Sequence, residues 1–308
     1  MERRDDLRRA ADALTGSVVV CGLGAYAEAL DANDLPNARL VMAPDLTEEA
    51  ASGGLTRNAS RETVAPAAVV VAVDPAVGLT LDSDTCRTLA DLAGLDAFTV
   101  AVVPGCAATQ ADLSAVADRV DAVLLAGGDE SDEPTATDPV ITAVVDFLAI
   151  VQAPGFVNLD LTDAQTVLST GVSALGTGTA SRDDPAGAVD AAFAGLPESV
   201  DPTAASAVLV DVVVDPVTSI AAATDAVGAV RGRIGEAANV IWGGAVDESA
   251  ANELRIRLVV ADVRHSPSLA AGDACPRCEA RLSAYTFGAR ETLSCDACGY
   301  SDIAVRRE

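Results

Sequence analysis

Lysine is absent from this chain of 308 residues, and histidine occurs once, at His265. Without lysine there is no Walker A phosphate loop, whose lysine must reach the phosphates. With one histidine, in a Pro/Ser/Gly-rich stretch, no Ser-His or Cys-His catalytic pair is available. Cys106, in Pro104-Gly105-Cys106, therefore reads as a loop or core cysteine. Aromatic residues make up only 3% of the chain while half of it is apolar, so the core must be aliphatic. No apolar run approaches the roughly 20 residues that a bilayer-spanning helix needs. Residues 1–13 are charged and have no apolar centre, so they do not read as a signal peptide, and the expected location is the cytoplasm. Every basic residue is arginine, 20 against 46 acidic residues, for a net charge of −26. That balance excludes broad nucleic-acid binding, which needs a basic footprint. It reads instead as a solvated surface suited to high cytoplasmic salt.

What is present is an alternation. Short β-branched runs at residues 17–21, 39–43, 67–73, 98–103 and 122–126 are separated by turns, loop or helical stretches at 84–93 and 111–119. Continuous apolar runs bounded by turns suit strands buried on both faces, and their alternation with helices predicts a parallel sheet covered on both sides. Gly22-Leu23-Gly24 reads as a turn from the first strand into a helix, and residues 44–65 as loop. A long apolar helix is expected from about residue 139 to 151, stopped by Ala153-Pro154-Gly155. The next helix starts at 162, with Thr162 as its cap. Along the long helix, Val140, Val144, Phe147 and Ile150 fall on one face and are expected to be buried. A second, smaller α/β unit follows, with strands at 172–176, 207–214, 239–242 and 254–261 and helices at 186–193 and 220–234. The acidic run at 129–133 reads as a solvated loop.

Seven cysteines are present. Cys21, Cys86 and Cys106 lie in apolar surroundings and read as small buried hydrophobes of a reducing compartment. The other four form two knuckles, Cys275-Pro-Arg-Cys278 and Cys295-Asp-Ala-Cys298-Gly299, with sixteen residues between them. Each knuckle turns two thiolates toward one point, and two knuckles close a tetrahedral site, the pattern of a structural zinc. A pair of redox dithiols or of disulfides is the alternative. Residues 282–287 and 291–294 can supply the hairpin of a zinc ribbon. So small a unit has little core of its own, so the metal would supply its folding energy, and its function would be to contact a partner.

The stretch 138–163, DPVITAVVDFLAIVQAPGFVNLDLTD, resembles the central helix and following loop of the FtsZ/tubulin superfamily. The similarity continues through Thr166-Val167-Leu168-Ser169, Gly176-Thr177-Gly178-Thr179-Ala180-Ser181, residues 208–214 and residues 252–260. The resemblance implies an α/β fold: a nucleotide-binding-type parallel-sheet domain, a central helix and a smaller α/β second domain, with the zinc ribbon appended. The implied boundaries are 1–137, 138–157, 158–264, a linker at 265–272 and the ribbon at 273–308. In that family one subunit binds GTP, and the Asn-x-Asp-x-x-Asp loop of the next closes over its γ-phosphate. Asn158, Asp160 and Asp163 match that loop, where carboxylates position water and a cation by electrostatics. Asp160 and Asp163 equally suit helix capping.

The nucleotide side departs from the family. A long glycine loop should follow the strand at 67–73, because glycines let backbone amides cradle phosphates. Here one glycine, Gly78, remains. Pro75 removes a donor, and Asp74, Asp82 and Asp84 set negative charge beside the phosphates. Gly22 and Gly24 keep part of the first glycine turn, and Asp138 stands where the family has a guanine-contacting aspartate, but Thr137 replaces the preceding asparagine. The leading expectation is a non-enzymatic FtsZ-like protein that regulates or caps partner filaments, binds structural zinc and holds GTP weakly if at all. A divergent, self-assembling GTPase and an unrelated α/β enzyme or metabolite-binding protein are the alternatives.

Overall fold

A computed structural model describes residues 18–46, 55–56, 63–64, 66–73, 84–93, 97–105, 110–127, 137–169, 171–265, 272, 275, 278, 280–287 and 290–304. The positions of Asp74, Gly78, Asp82, Cys106 and the acidic run at 129–133 lie outside them.

The body is built on one sheet. Its strands are β1 (Val18–Gly22), β2 (Arg39–Leu40), β3 (Ala68–Ala72), β4 (Phe98–Pro104), β5 (Ala122–Ala126), β6 (Val172–Ser181), β7 (Ala207–Val214), β8 (Asn239–Val246) and β9 (Glu253–Ala261). Their order across the sheet is β8-β7-β9-β6-β5-β4-β3-β1-β2. All run parallel except β9, which pairs antiparallel with both β7 and β6. The two α/β halves expected from the sequence meet edge to edge. Val123 of β5 lies opposite Val172 of β6, and Ala126 opposite Leu175.

Side chains alternate along each strand, so the sheet buries two cores. One face carries Val19, Val71, Val103, Leu125, Val210 and Ile256. Helices α1 (Asp84–Leu92), α2 (Gln110–Ala117), α5 (Pro185–Ala194) and α6 (Ile220–Arg231) contribute Leu89, Leu113, Val189 and Val230 to that core. The other face carries Val20, Val70, Val102, Leu124, Leu175, Leu209 and Val259. It packs against α3 (Pro139–Gln152) and α4 (Leu161–Leu168). Helix α3 is the expected long helix. Val140, Val144 and Phe147 are fully buried and Ile150 nearly so, in a core shared by strands of both halves. A helix this apolar on all sides is stable only when buried, and α3 thereby fastens the two halves to each other.

Several local expectations are corrected. After β1 the chain makes only a four-residue 3-10 turn, Gly24–Ala27, rather than a helix. Gly24 opens it with φ 61, a backbone region that favours glycine. Asp160, not Thr162, caps α4. Within the stretch expected as loop, residues up to 46 are helical and Leu55–Thr56 pair with Thr63–Val64. Strands β6 and β8 each run further than expected. Glycines interrupt their apolar pattern, but those glycines are packing devices. On β6, a Cβ on Gly176 or Gly178 would meet the Ala192 backbone at 2.3 or 2.1 Å, so α5 rests directly on this strand. The body also reaches one residue beyond the expected linker boundary, since Arg264–His265 pair with Val200–Asp201.

The end of β7 is held by a buried aspartate. Asp215 accepts hydrogen bonds from the Thr218 hydroxyl (2.6 Å), the Val217 amide (3.0 Å) and the Asn252 amide (3.0 Å), and pairs with Arg182 (3.1 Å). The Thr218 hydroxyl leads these donors in lowering the carboxyl from 3.8 to about 2. A carboxyl depressed in the native state stabilises it fully above the unfolded-state value, and that contribution is lost as pH falls through the native value. Asp215→Asn is therefore expected to lower stability at neutral pH, with the gap to the parent chain closing between pH 3.8 and 2. Denaturant titrations across that range check it.

Candidate functional site

Two constellations carry the expected chemistry, and the first is the cysteine centre. Strands β10 (Ser283–Phe287), β11 (Arg290–Ser294) and β12 (Ser301–Ala304) form an antiparallel three-stranded sheet. The hairpin matches expectation, and β12 is additional. The knuckle backbones fold back through Cys278 N–H to Cys275 O, Cys275 N–H to Ala280 O, and Gly299 N–H to Cys295 O. Gly299 has φ 72, which allows that reversal directly after the second knuckle.

The sulfur atoms of Cys275, Cys278, Cys295 and Cys298 all lie within 4.8 Å of one another. The Cys275–Cys298 and Cys278–Cys295 separations are 3.6 and 3.4 Å. Four thiolates about 2.3 Å from one shared ion stand roughly 3.8 Å apart, whereas a disulfide brings two sulfurs to about 2 Å. The donor set and spacing fit a tetrahedral thiolate site with no open position. Cys275 and Cys295 are buried with Leu282 and Leu293, and these four make up the unit's buried core among the described residues.

The second constellation is the loop after α3. Val157 pairs with Gly244 in an isolated bridge, laying the loop against edge strand β8. Asn158 Oδ1 accepts from Gly155 N–H (2.8 Å) and fixes the Pro154-Gly155 turn. Asp160 Oδ1 accepts from the amides of Thr162 (2.8 Å) and Asp163 (3.0 Å), while Asp163 Oδ2 accepts from Asp160 N–H (3.1 Å). This is a reciprocal capping box, which satisfies amides left open at a helix start. Each carboxylate still has free lone pairs, and Asn158 and Asp160 are exposed. The fold therefore brings Asn158, Asp160 and Asp163 together on one accessible turn.

The residues expected on the nucleotide side are placed differently. Gly22 ends β1 and Gly24 opens the short 3-10 turn. Asp138 is buried and accepts from Val140 N–H (2.9 Å) as the N-cap of α3.

One polar set escaped the sequence reading. Asp211 of β7, Arg257 of β9 and Thr177 of β6 occupy one row across three adjacent strands. Arg257 donates to Asp211 (2.8 Å) and, through Nε, to Asp146 of α3 (2.8 Å), which also accepts from the Thr177 hydroxyl (2.7 Å). Burial pushes the Asp211 carboxyl up, with the Asp146 carboxylate adding to the shift and Arg257 opposing it. The available signal was a single charge in an otherwise uncharged helix, Asp146, and a lone aspartate in a valine strand, Asp211.

Residues 171–264 match the FtsZ family, C-terminal domain. Cell division protein FtsZ 1 of Halobacterium salinarum is 34% identical over 126 residues, 40% of this chain and 32% of that protein. FtsZ of Coxiella burnetii is 34% identical over 128 residues, 41% and 33% of the two chains. The aligned part thus spans about a third of the length of these relatives. Among solved structures, an empty FtsZ dimer of M. jannaschii superposes with a TM-score of 0.61 at 18% identity, covering 88% of this chain and 98% of that one. Residues 171–264 thus carry an FtsZ-type C-terminal domain sequence, and the chain as a whole has the FtsZ/tubulin fold. A GTPγS-bound protofilament of CetZ2 from Haloferax volcanii shares the fold more distantly, with a TM-score of 0.52 at 21% identity over 72% of each chain. The family match lies in the second half, which carries strands β6–β9. Among the described residues no helix is long and apolar enough to cross a membrane.

Proposed function

We propose that this chain is a cytoplasmic regulator or cap of FtsZ-type filaments with little or no GTP binding of its own. The observation that carries the reading is the contrast between its two ends. The Asn158-Asp160-Asp163 turn is assembled and exposed. On the opposite side, β1 leads into a single 3-10 turn and Asp138 is committed to capping α3. A helix start with free amides is what gathers phosphates, and Pro75 together with Asp74, Asp82 and Asp84 adds further opposition in the sequence. A chain that offers the loop but not the phosphate cradle docks on the nucleotide end of an intact subunit and offers the next one nothing to bind.

In this reading residues 1–137 form the degenerate nucleotide-type half, 138–157 the central helix and turn, and 158–264 the docking half. The linker expected at 265–272, which begins with the paired His265, joins the body to the ribbon at 273–308. The four cysteines hold one structural zinc, and the ribbon is an adaptor for a protein partner. The acidic, lysine-free surface belongs to a salt-rich cytoplasm.

The test is a sedimentation assay of an active FtsZ polymerised by GTP at high salt with increasing amounts of this chain. Substoichiometric loss of polymer is expected. It should weaken in Asp160→Asn, which keeps a capping side chain but loses the charge. Unchanged polymer at every ratio rejects the reading. Equal potency of Asp160→Asn rejects the role of the loop.

A further inference from the structure

A cavity of about 420 Å³ opens where the two halves of the sheet meet, between the first turns of α3, strand β6 and the end of α5. Thr137, Thr142, Asp146, Thr177, Ala194 and Gly195 supply its polar character. Among the described residues the lining contains no basic side chain. The Ala194–Gly195 end of α5 adds the partial negative charge of a helix C-terminus. The start of α3 offers few compensating donors. Pro139 has no amide hydrogen, and the amides of Val140 and Thr142 are already taken by Asp138. A phosphate or carboxylate is therefore refused.

Behind the cavity wall stands the Asp146–Arg257–Asp211 set. All three residues are more than nine-tenths buried. Ionised, they hold two negative charges and one positive, an excess of one negative charge with little water to screen it. An uncompensated buried charge is strongly unfavourable. Each Asp146 oxygen already accepts one hydrogen bond, from Arg257 or from Thr177, and each retains a free lone pair. Asp146 is also the member of the set that lines the cavity.

We infer that this cavity binds a compact monovalent cation, an alkali ion or a primary ammonium group, whose charge completes the Asp146–Arg257–Asp211 set. One charge is what the set lacks, so a monovalent ion leaves it neutral. Thr142, Thr177 and the Ala194–Gly195 end of α5 line the same cavity and offer the kind of oxygen donor that such cations take. A ligand seated there bridges α3, β6 and α5, and so stabilises the seam between the halves.

The experiment uses the full-length chain and reads its thermal midpoint in equal concentrations of potassium, methylammonium and tetramethylammonium chloride. The last is too diffuse a charge to approach a carboxylate closely. Midpoints several degrees higher in potassium, in methylammonium or in both are expected, since a ligand that binds only the native state raises its stability. Potassium alone identifies an alkali-ion site, and methylammonium alone an amine site. Thr142 lies one helical turn from Asp146, so Thr142→Lys supplies a tethered ammonium. It should remove the dependence on cation identity, while Thr142→Gln should keep it. General salt effects on the acidic surface are common to all three proteins. Equal midpoints of the parent chain in the three salts overturn the inference. So does a dependence that persists undiminished in Thr142→Lys.

Discussion

Removing metal from the purified chain is expected to unfold residues 273–304 and leave the sheet body intact. Among the described residues the ribbon buries four side chains, two of them cysteines of the four-sulfur cluster. A structural zinc contributes about 10–16 kcal/mol of apparent binding free energy to a domain that does not fold without it, more than so small a core can replace. Cys275→Ser or Cys295→Ser should have the same effect as a chelator, with one zinc per chain lost by elemental analysis. Amide-exchange protection should disappear from β10–β12 and persist in β3–β7. Binding should also release protons, because four thiols enter as thiolates. Protein prepared without chelator that contains no zinc would sink the assignment, as would ribbon protection that survives metal removal.

The second large effect is expected at Arg257. Replacing it with methionine leaves Asp146 and Asp211 in the core without the arginine that pairs with both of them. Breaking a buried pair from one side typically costs about 3–5 kcal/mol. The loss should show as a lower denaturant midpoint with an unchanged slope. Replacing all three charged residues with apolar ones of similar volume should recover most of it, because removing a complete buried ion set is often neutral or stabilising. A single Arg257→Met change that leaves the midpoint unmoved would mean that the set is not a structural tie between α3 and the second half.

What the sequence made legible was what local patterns control. Four strands of the first half, β1, β3, β4 and β5, are largely apolar runs buried along their whole length. Helix α3 is apolar on every side and ends at a Pro-Gly turn. The four cysteines announce their geometry by spacing alone. The rest depends on contacts distant in the chain. Strand β6 continues through Gly176 and Gly178 because α5 needs the space, and no strand propensity foretells that. Asp160 and Asp163 both suited a helix start from the sequence, and the structure shows which residue caps α4 by bonding them reciprocally. The buried ion set joins residues 46 and 111 positions apart, so only the strand register and the docking of α3 reveal it. That α3 would lie under one continuous sheet likewise follows from the β5–β6 pairing, which no run of residues announces.

The central claim is that this chain keeps an FtsZ-type docking turn without the phosphate cradle that would let it act as an ordinary filament subunit. Equilibrium titration of the purified, zinc-loaded chain with labelled GTP at high salt tests it most directly. The account predicts no saturable binding in the micromolar range and no release of phosphate, alone or at filament-forming concentrations. Saturable micromolar binding, with turnover that disappears in Asp160→Asn, would contradict it and would make the chain an active, self-assembling GTPase.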